Sequence, residues 1–247
     1  MLNIENLTLQ YGTVTALQGI SLKIAPGEIC VLIGPSGCGK SSLLNILAGN
    51  IKNYEGTVTL NDQAIDNRKK TIGMVSQSYG LLPWRTVYGN IILPLKIKKL
   101  PVPNYRQKIK DTTERLGIQD LMERYPNSLS GGQKQRAALA KTFILDPLDL
   151  LLMDEPFSAL DAITREESQE LFVDVWTERR PLTIFVTHSI DEAIVLGKKI
   201  VILGTAPGKI IEIIDNPAFG KKDVRTTKQF LDISTRIRAL VKKEWKK

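Results

Sequence analysis

The sequence has one histidine, two cysteines and no apolar run near the roughly 20 residues that a membrane helix needs. The nearest runs, Leu148 to Met153 and Lys199 to Leu203 with their flanks, are far too short. Any membrane this protein serves is therefore expected to be spanned by another chain. The N-terminus, Met1-Leu2-Asn3-Ile4-Glu5-Asn6, lacks the basic region and apolar block of a signal peptide, which predicts a cytoplasmic location. In reducing cytosol no structural disulfide is expected of Cys30 and Cys38, and nothing resembles the spacing of a metal framework. Internal repeats, low-complexity tracts and long linkers are also missing.

What remains is an ordinary globular composition: 247 residues, 43% hydrophobic and 24% charged, enough for a substantial core in one domain with a subdomain. The net charge of +8 is concentrated at one end, where residues 221 to 247 hold ten Lys or Arg against three Asp or Glu. Phe230, Ile233, Ile237, Leu240, Val241 and Trp245 recur there at helical spacing, so the basic residues fall on the other face of an amphipathic helix. One reading is a helix packed on the body with a solvated cationic face. The other is a face turned toward anionic lipid or nucleic acid.

Residues 1 to 25 alternate in short apolar and polar bursts and read as antiparallel strands, followed by the turn Pro26-Gly27-Glu28. A continuous apolar strand, Ile29 to Ile33, then enters a glycine-rich loop, and Lys40 to Ala48 reads as a helix stopped by Gly49. A strand over Thr71 to Ser76 precedes a helical stretch from about residue 86 to 145, interrupted by Pro94, Pro101, Pro103 and Pro126. Strands resume at Asp149 to Met153, Leu182 to Thr187 and Lys199 to Leu203, alternating with helices. Apolar strands alternating with helices predict an α/β fold with a mostly parallel sheet covered on both faces.

Gly34-Pro35-Ser36-Gly37-Cys38-Gly39-Lys40-Ser41 fits the P-loop pattern, which cradles nucleotide phosphates. Its glycines let backbone N–H groups approach phosphate oxygens, and the following helix N-terminus adds a favourable dipole. Lys40 is expected to neutralise the β and γ phosphates of ATP, and the Ser41 hydroxyl to ligate Mg²⁺. Leu150-Leu151-Leu152-Met153-Asp154-Glu155 buries a strand and releases two carboxylates at its C-terminal end, where ligand sites of open α/β sheets lie. Asp154 is expected to hold Mg²⁺, directly or through water, and Glu155 to orient and polarise the attacking water.

Leu129-Ser130-Gly131-Gly132-Gln133 is the rarer string, expected by accident in on the order of one chain in a few thousand. It precedes a helix read as Gln133 to Leu145, so free N–H groups and a hydroxyl point at whatever lies before that helix. His188 closes an apolar strand, with Ser189 and Glu192 fitting a capping box for the next helix. It reads either as structural or as an imidazole facing the γ-phosphate. Gln77, after the strand ending at Ser76, is a loop residue or a hydrogen-bonding partner for Mg²⁺ or the attacking water. Tyr11 is packing at a strand end or an adenine-stacking ring.

Together these motifs resemble the ATP-binding subunit of an ABC transporter over the whole chain. Tyr11 matches the A-loop aromatic and residues 34 to 42, through Ser42, the Walker A motif. Gln77 matches the Q-loop, 129 to 133 the signature, 149 to 155 Walker B, Ser158-Ala159-Leu160-Asp161 the D-loop and His188 the H-loop. The resemblance implies a P-loop NTPase of ABC type with an N-terminal antiparallel β subdomain and an inserted α-helical subdomain. The implied divisions are a nucleotide-binding core at 1 to 83 and 147 to 220, a helical subdomain at 84 to 146 and a basic helix at 221 to 247. It also implies a head-to-tail dimer in which each ATP lies between one copy's P-loop and the other's signature, so that Ser130, Gly131, Gly132, Gln133 and Asp161 join the nucleotide contacts.

Gly80-Leu81-Leu82-Pro83-Trp84-Arg85-Thr86-Val87, Asp154-Glu155-Pro156-Phe157 and Thr187-His188-Ser189-Ile190-Asp191-Glu192-Ala193 are similar to importers of the nitrate, sulfonate and taurine group. That likeness implies a permease contact through Gln77 to Tyr88, with Trp84 and Arg85 included, an extracytoplasmic solute-binding protein, and a peripheral place on the cytoplasmic membrane face. Trp84 also reads as core packing. The chain departs from the group at Ser158, usually Gly, and at Lys141-Thr142, usually Arg-Ala. Exporter or lipoprotein-release ATPases share the signature and remain the alternative. A DNA-repair head needs a long coiled-coil insertion for which residues 84 to 146 are too short and proline-rich, so no nucleic-acid partner is expected.

Overall fold

The computed structural model describes residues 1–66, 68–221 and 223–245. Lys222, Lys246 and Lys247 of the basic tail lie outside the described residues. The chain forms two compact units, Met1–Lys70 with Arg180–Lys247, and Thr71–Arg179. The first unit opens with β1 (Leu2–Tyr11), β2 (Val14–Ile24), β3 (Ile29–Ile33), α1 (Lys40–Leu47), β4 (Glu55–Leu60) and β5 (Gln63–Ala64). The second holds β6 (Ile72–Val75), α2 (Val87–Ile91), α3 (Leu93–Ile97), α4 (Arg106–Arg115), α5 (Gly131–Phe143), β7 (Leu150–Asp154) and α6 (Ala162–Arg179). The chain then completes the first unit with β8 (Leu182–Thr187), α7 (Ile190–Leu196), β9 (Lys199–Leu203), β10 (Ile210–Asp215) and α8 (Lys228–Glu244).

In the first unit an antiparallel sheet runs in the order β2-β1-β4-β5, as the N-terminal alternation predicts. The alternation changes phase inside β1, where Leu2 and Ile4 are buried and then Leu7 and Leu9. A bulge at Asn6, with φ +49°, inserts the odd residue that keeps all four side chains on the core face. The Ser21 hydroxyl steadies it, accepting from the Asn6 N–H at 3.0 Å and donating to Asn6 Oδ1 at 3.3 Å.

The other sheet of this unit has β3 at its centre, parallel to β8 on one side and β9 on the other, with β10 antiparallel beyond β9. All five β3 residues are buried, which is why its sequence is continuously apolar. Ile33 pairs with both Thr187 and Ile202, so the loops after β3, β8 and β9 leave the sheet at one edge. The basic C-terminal segment is indeed an amphipathic helix, with Ile233 and Ile237 buried and Thr227 capping its start. Arg238 pairs with Asp191 and Arg236 with Glu212, and Trp245 Nε1 donates to the Leu203 carbonyl at 2.9 Å. This packing is the first of the two readings given to the tail.

In the second unit β6 and β7 are parallel, with Val75 opposite Met153. The prolines divide the helical stretch as predicted, and the short α2 and α3 precede a polar α4. The longer α5 and α6 both press aromatic and small residues inward. The Phe172 ring meets Phe143 at 6.5 Å and Phe157 edge-on at 6.4 Å, while Ala137, Ala138 and Ala140 let neighbours approach α5 closely. The departure at Thr142 has a local reason. A Cβ on Gly73 would stand 2.4 Å from Thr142 Cγ2, so the threonine methyl fills space that only glycine leaves in β6.

Gly73→Ala should therefore lower stability by about 1–3 kcal/mol through overpacking. The same change in a Thr142→Ala background should cost at least about 1 kcal/mol less, since contacting residues couple by that order. Chemical denaturation of the four proteins measures both. Equal losses in the two backgrounds would show that Thr142 does not fill this space.

Candidate functional site

The glycine-rich loop leaves β3 at Gly34 and winds into α1, whose N-terminus is capped by no side chain. Gly39 adopts φ +93°, and a Cβ there would meet Leu17 Cδ2 at 2.6 Å and the Ala16 carbonyl at 2.8 Å. The glycine is thus required twice, by conformation and by the approach of β2. Lys40 is 7% exposed, and its ammonium donates to the Gly34 carbonyl at 2.8 Å and the Pro35 carbonyl at 2.7 Å. Its charge lies at the centre of a loop whose backbone curls around it.

The Cys38 thiol is buried beneath Gly34, where a Cβ would come within 2.6 Å of Sγ. Burial pushes its pKa up against the opposing pull of Lys40, so it serves as a compact filler, as its sequence position suggests. Cys30, wholly buried in β3, is pushed up to about 12 by the same cause. Both cysteines are free.

Two further predicted residues meet this loop within the first unit. Tyr11, half exposed at the end of β1, directs its hydroxyl to Ser42 Oγ at 3.4 Å, which holds an open ring over the first turn of α1. His188 leaves β8 one residue past Thr187, the partner of Ile33, and so emerges beside Gly34 at the same sheet edge. Ser189 Oγ accepts from the Glu192 N–H at 3.3 Å and caps α7, which fixes the chain on the far side of the imidazole.

The second unit gathers the remaining candidates. Since Val75 lies opposite Met153, Gln77 and the Asp154-Glu155 pair follow adjacent strand ends. Glu155 has φ +46°, an uncommon region for a residue with a side chain. The turn is closed on its main-chain carbonyl, which accepts from Ser158 Oγ at 2.8 Å and the Ser158 N–H at 3.2 Å. Serine in place of the usual glycine adds the first of these bonds, and Ser158 has no positive φ that would demand glycine.

The signature helix starts two residues earlier than its sequence suggests, at Gly131, and ends at Phe143 instead of Leu145. Ser130 is its N-cap in a reciprocal box: Ser130 Oγ accepts from the Gln133 N–H at 3.3 Å, and the Ser130 N–H donates to Gln133 Oε1 at 3.0 Å. A Cβ on Gly132 would stand 3.0 Å from Thr164 Cγ2, and one on Gly131 3.2 Å from Leu160 Cδ2. Part of what must come close to this glycine pair is therefore the chain's own D-loop region. Asp161 caps α6 there, accepting from the Thr164 N–H at 3.0 Å, and that hydrogen bond lowers its carboxyl pKa.

Comparison with known proteins decides what these two constellations belong to. The ABC transporter family model matches residues 17–158. The chain belongs to the ABC transporter family. Its α/β P-loop fold is that of the family's ATPase cassettes, as predicted, and its reaction is ATP hydrolysis. The chain is 42% identical to an aliphatic sulfonates import ATP-binding protein of Bacillus cereus over 84% of its own length and 81% of the relative's. For the protein of that name in Bacillus subtilis (strain 168), identity is 41% over 90% and 86%.

Among solved structures, a dimeric ATP-binding cassette in a post-hydrolysis state, bound to ADP and Pi, superposes with TM-score 0.74 at 29% identity, covering 87% of this chain and 98% of that one. The cbiO1 protein of Clostridium perfringens, part of the ABC transporter complex cbiONQ, gives 0.78 at 27%, covering 97% and 96%. Among the described residues no helix is long and apolar enough to cross a membrane.

Two residues of this ABC chain matter without any motif to mark them. Asn90 on α2 is fully buried, and its side-chain oxygen accepts from the Leu82 N–H at 2.7 Å. Its amide nitrogen donates to the carbonyls of Leu82, Arg85 and Thr86 at 3.0–3.1 Å. One side chain thus satisfies four backbone groups between Leu82 and Thr86. The other is Lys141, whose ammonium reaches the Gly80 carbonyl at 2.6 Å. Asn90 carries no mark in the sequence, and Lys141 is marked there only as a departure from the group's usual Arg.

Proposed function

We propose that this chain is the ATP-hydrolysing, energy-coupling subunit of a binding-protein-dependent importer for a sulfonate, nitrate, taurine or a similar small solute. The names of its relatives support the solute class. The coupling role is carried by one observation. The loop after Gln77 is fixed from inside by Asn90 and presents Trp84, 71% exposed, on its outside, followed by Tyr88, 37% exposed, in the first turn of α2. A core-packing role for Trp84 does not fit that exposure. A rigid loop with protruding aromatics is suited to receive a segment of a membrane subunit.

In this reading the P-loop backbone and Lys40 hold the β and γ phosphates, and the Tyr11 ring stacks on adenine. The Glu155 carboxylate accepts a hydrogen bond from water and takes its proton as the oxygen attacks the γ-phosphorus in line, while Gln77 orients that water and His188 faces the γ-phosphate. Ser41, Asp154 and Gln77 would hold Mg²⁺, which would supply positive charge to the phosphate oxygens. Hydroxyl, carboxylate and amide oxygens are the hard donors this ion selects, and a site with one carboxylate suits an ion that keeps waters and phosphate ligands. Ser130 to Gln133 and Asp161 of a second copy complete the contacts. ATP closes the dimer, hydrolysis reopens it, and the loop of Trp84 and Tyr88 passes the motion to the permease at the cytoplasmic membrane face.

Affinity purification of the chain from its native cells tests this. A multi-span membrane protein should co-purify, with an extracytoplasmic solute-binding protein in the same system. Trp84→Ala with Tyr88→Ala should reduce the recovered membrane protein at least about tenfold, since truncating an aromatic anchor removes about 2 kcal/mol or more. Unchanged recovery would rule out this docking face, and a partner set without a binding protein would favour an exporter.

A further inference from the structure

We propose that Lys141 is a positioning residue: its ammonium, bound to the Gly80 carbonyl, fastens the turn that follows Gln77 to the signature helix α5. The inference rests on the ATPase roles given above to Gln77 and the signature. Its structural half stands without them.

The turn is an unfavourable one to leave unsupported. The Tyr79 N–H donates to the Ser76 carbonyl at 2.8 Å, and Tyr79 and Gly80 then adopt φ +65° and +60° in succession. A single left-handed residue is common at a turn, but a tyrosine there persists only where its surroundings hold it. Two side chains do so, and both belong to the packing of α5.

Tyr79 is 8% exposed, and its hydroxyl lies 3.7 Å from the position of a Cβ on Gly131, the first residue of α5. Among the described residues that hydroxyl has no hydrogen-bond partner, so the ring is held by packing alone. Lys141, in the last turn of the same helix, supplies the polar contact: 2.6 Å from Nζ to the Gly80 oxygen. A Cβ on Gly80 would stand 3.3 Å from that nitrogen, so the bare glycine leaves room for the approach. The turn is therefore pinned from both directions, by a ring toward the start of α5 and an ammonium from its end.

A lysine at a helix C-terminus ordinarily complements the dipole from solvent. Lys141 is half-buried, and burial pulls its pKa below the usual lysine range, an outcome that a purely solvated role would not produce. Because Ser130 opens α5 and Gln77 opens the turn, the bond makes the two ATP-facing segments one mechanical body. A displacement of the signature helix must then carry Gln77 with it, and a loose Gln77 would reach the attacking water less often in the same bound complex.

The test compares the full-length chain with Lys141→Met, which keeps the stem and removes the charge, and Lys141→Arg, which keeps a donor. Amide hydrogen exchange without nucleotide should speed up at least about tenfold across residues 77 to 81 in Lys141→Met, with α1 and α6 unchanged and Lys141→Arg within about threefold of wild type. In the assembled transporter kcat should fall about tenfold in Lys141→Met with KM for ATP within about twofold, the pattern of a lost transition-state contact. Unchanged exchange in the turn would overturn the latch, as would faster exchange throughout the second unit, which marks general destabilisation. A mobile turn with normal kcat would overturn the positioning role. Failure of the wild-type chain to hydrolyse ATP would count against the ATPase assignment of Gln77, while the exchange comparison would still decide the latch.

Discussion

Glu155→Gln should lower ATP turnover at least about 10²-fold while leaving ATP binding intact, because it removes a general base. Glutamine matches glutamate in shape and keeps one acceptor oxygen, but an amide cannot take a proton from water at neutral pH. The local fold should tolerate the change unusually well. The left-handed conformation at this position is held through the main-chain carbonyl, which accepts both Ser158 bonds, and neither depends on the carboxylate. A loss of activity is therefore chemical and not a collapse of the turn. Turnover at saturating ATP and nucleotide affinity, measured on the same preparation, separate the two effects. Near-normal hydrolysis would sink the assignment of Glu155, and loss of binding would mean that the carboxylate serves the ground state.

Where the chain is most uniform its sequence is most legible. Ile29 to Ile33 is apolar throughout because both faces of β3 are buried, and that environment admits no alternation. The loop after it carries a motif because phosphate cradling restricts almost every position. Legibility falls where one residue solves a local problem by geometry. The Asn6 bulge resets the phase of β1, so a strict period-two reading breaks there although the strand continues. β4, β5 and β10 escaped the pattern because they are half-polar, β5 and β10 at sheet edges and β4 with Glu55 to Thr57 exposed. The start of α5 was misplaced by two residues because glycines argue against helix, while the Ser130 and Gln133 box, together with the close packing of Leu160 and Thr164, installs them in its first turn. Asn90 and Lys141 are common residue types whose meaning lies in partner carbonyls 4 to 61 positions away, and their own type does not record that.

A mixture of Ser130→Arg and Lys40→Ala chains, each inactive alone, should recover one functional site per mixed dimer. In a two-fold head-to-tail dimer each site takes its P-loop from one copy and its signature from the other. A mixed dimer then pairs the intact P-loop of the Ser130→Arg copy with the intact signature of the Lys40→Ala copy, and places both lesions in the second site. Random pairing makes about half the dimers mixed, so the ceiling is about a quarter of wild-type turnover, with one ATP occluded per mixed dimer. If the signature instead served the P-loop of its own chain, every site in every dimer would carry a lesion and nothing would return. Each lesion also has a distinct physical cause. Lys40→Ala removes the charge at the centre of the loop, where the ammonium now meets the Gly34 and Pro35 carbonyls. Ser130→Arg places a bulky cation at a helix N-terminus and deletes its cap, a loss of about 1 kcal/mol that leaves α5 well short of unfolding. Tagging the two chains differently and isolating the mixed dimer gives the measurement, and mixed dimers that occlude no ATP would mean that the signature does not act in trans.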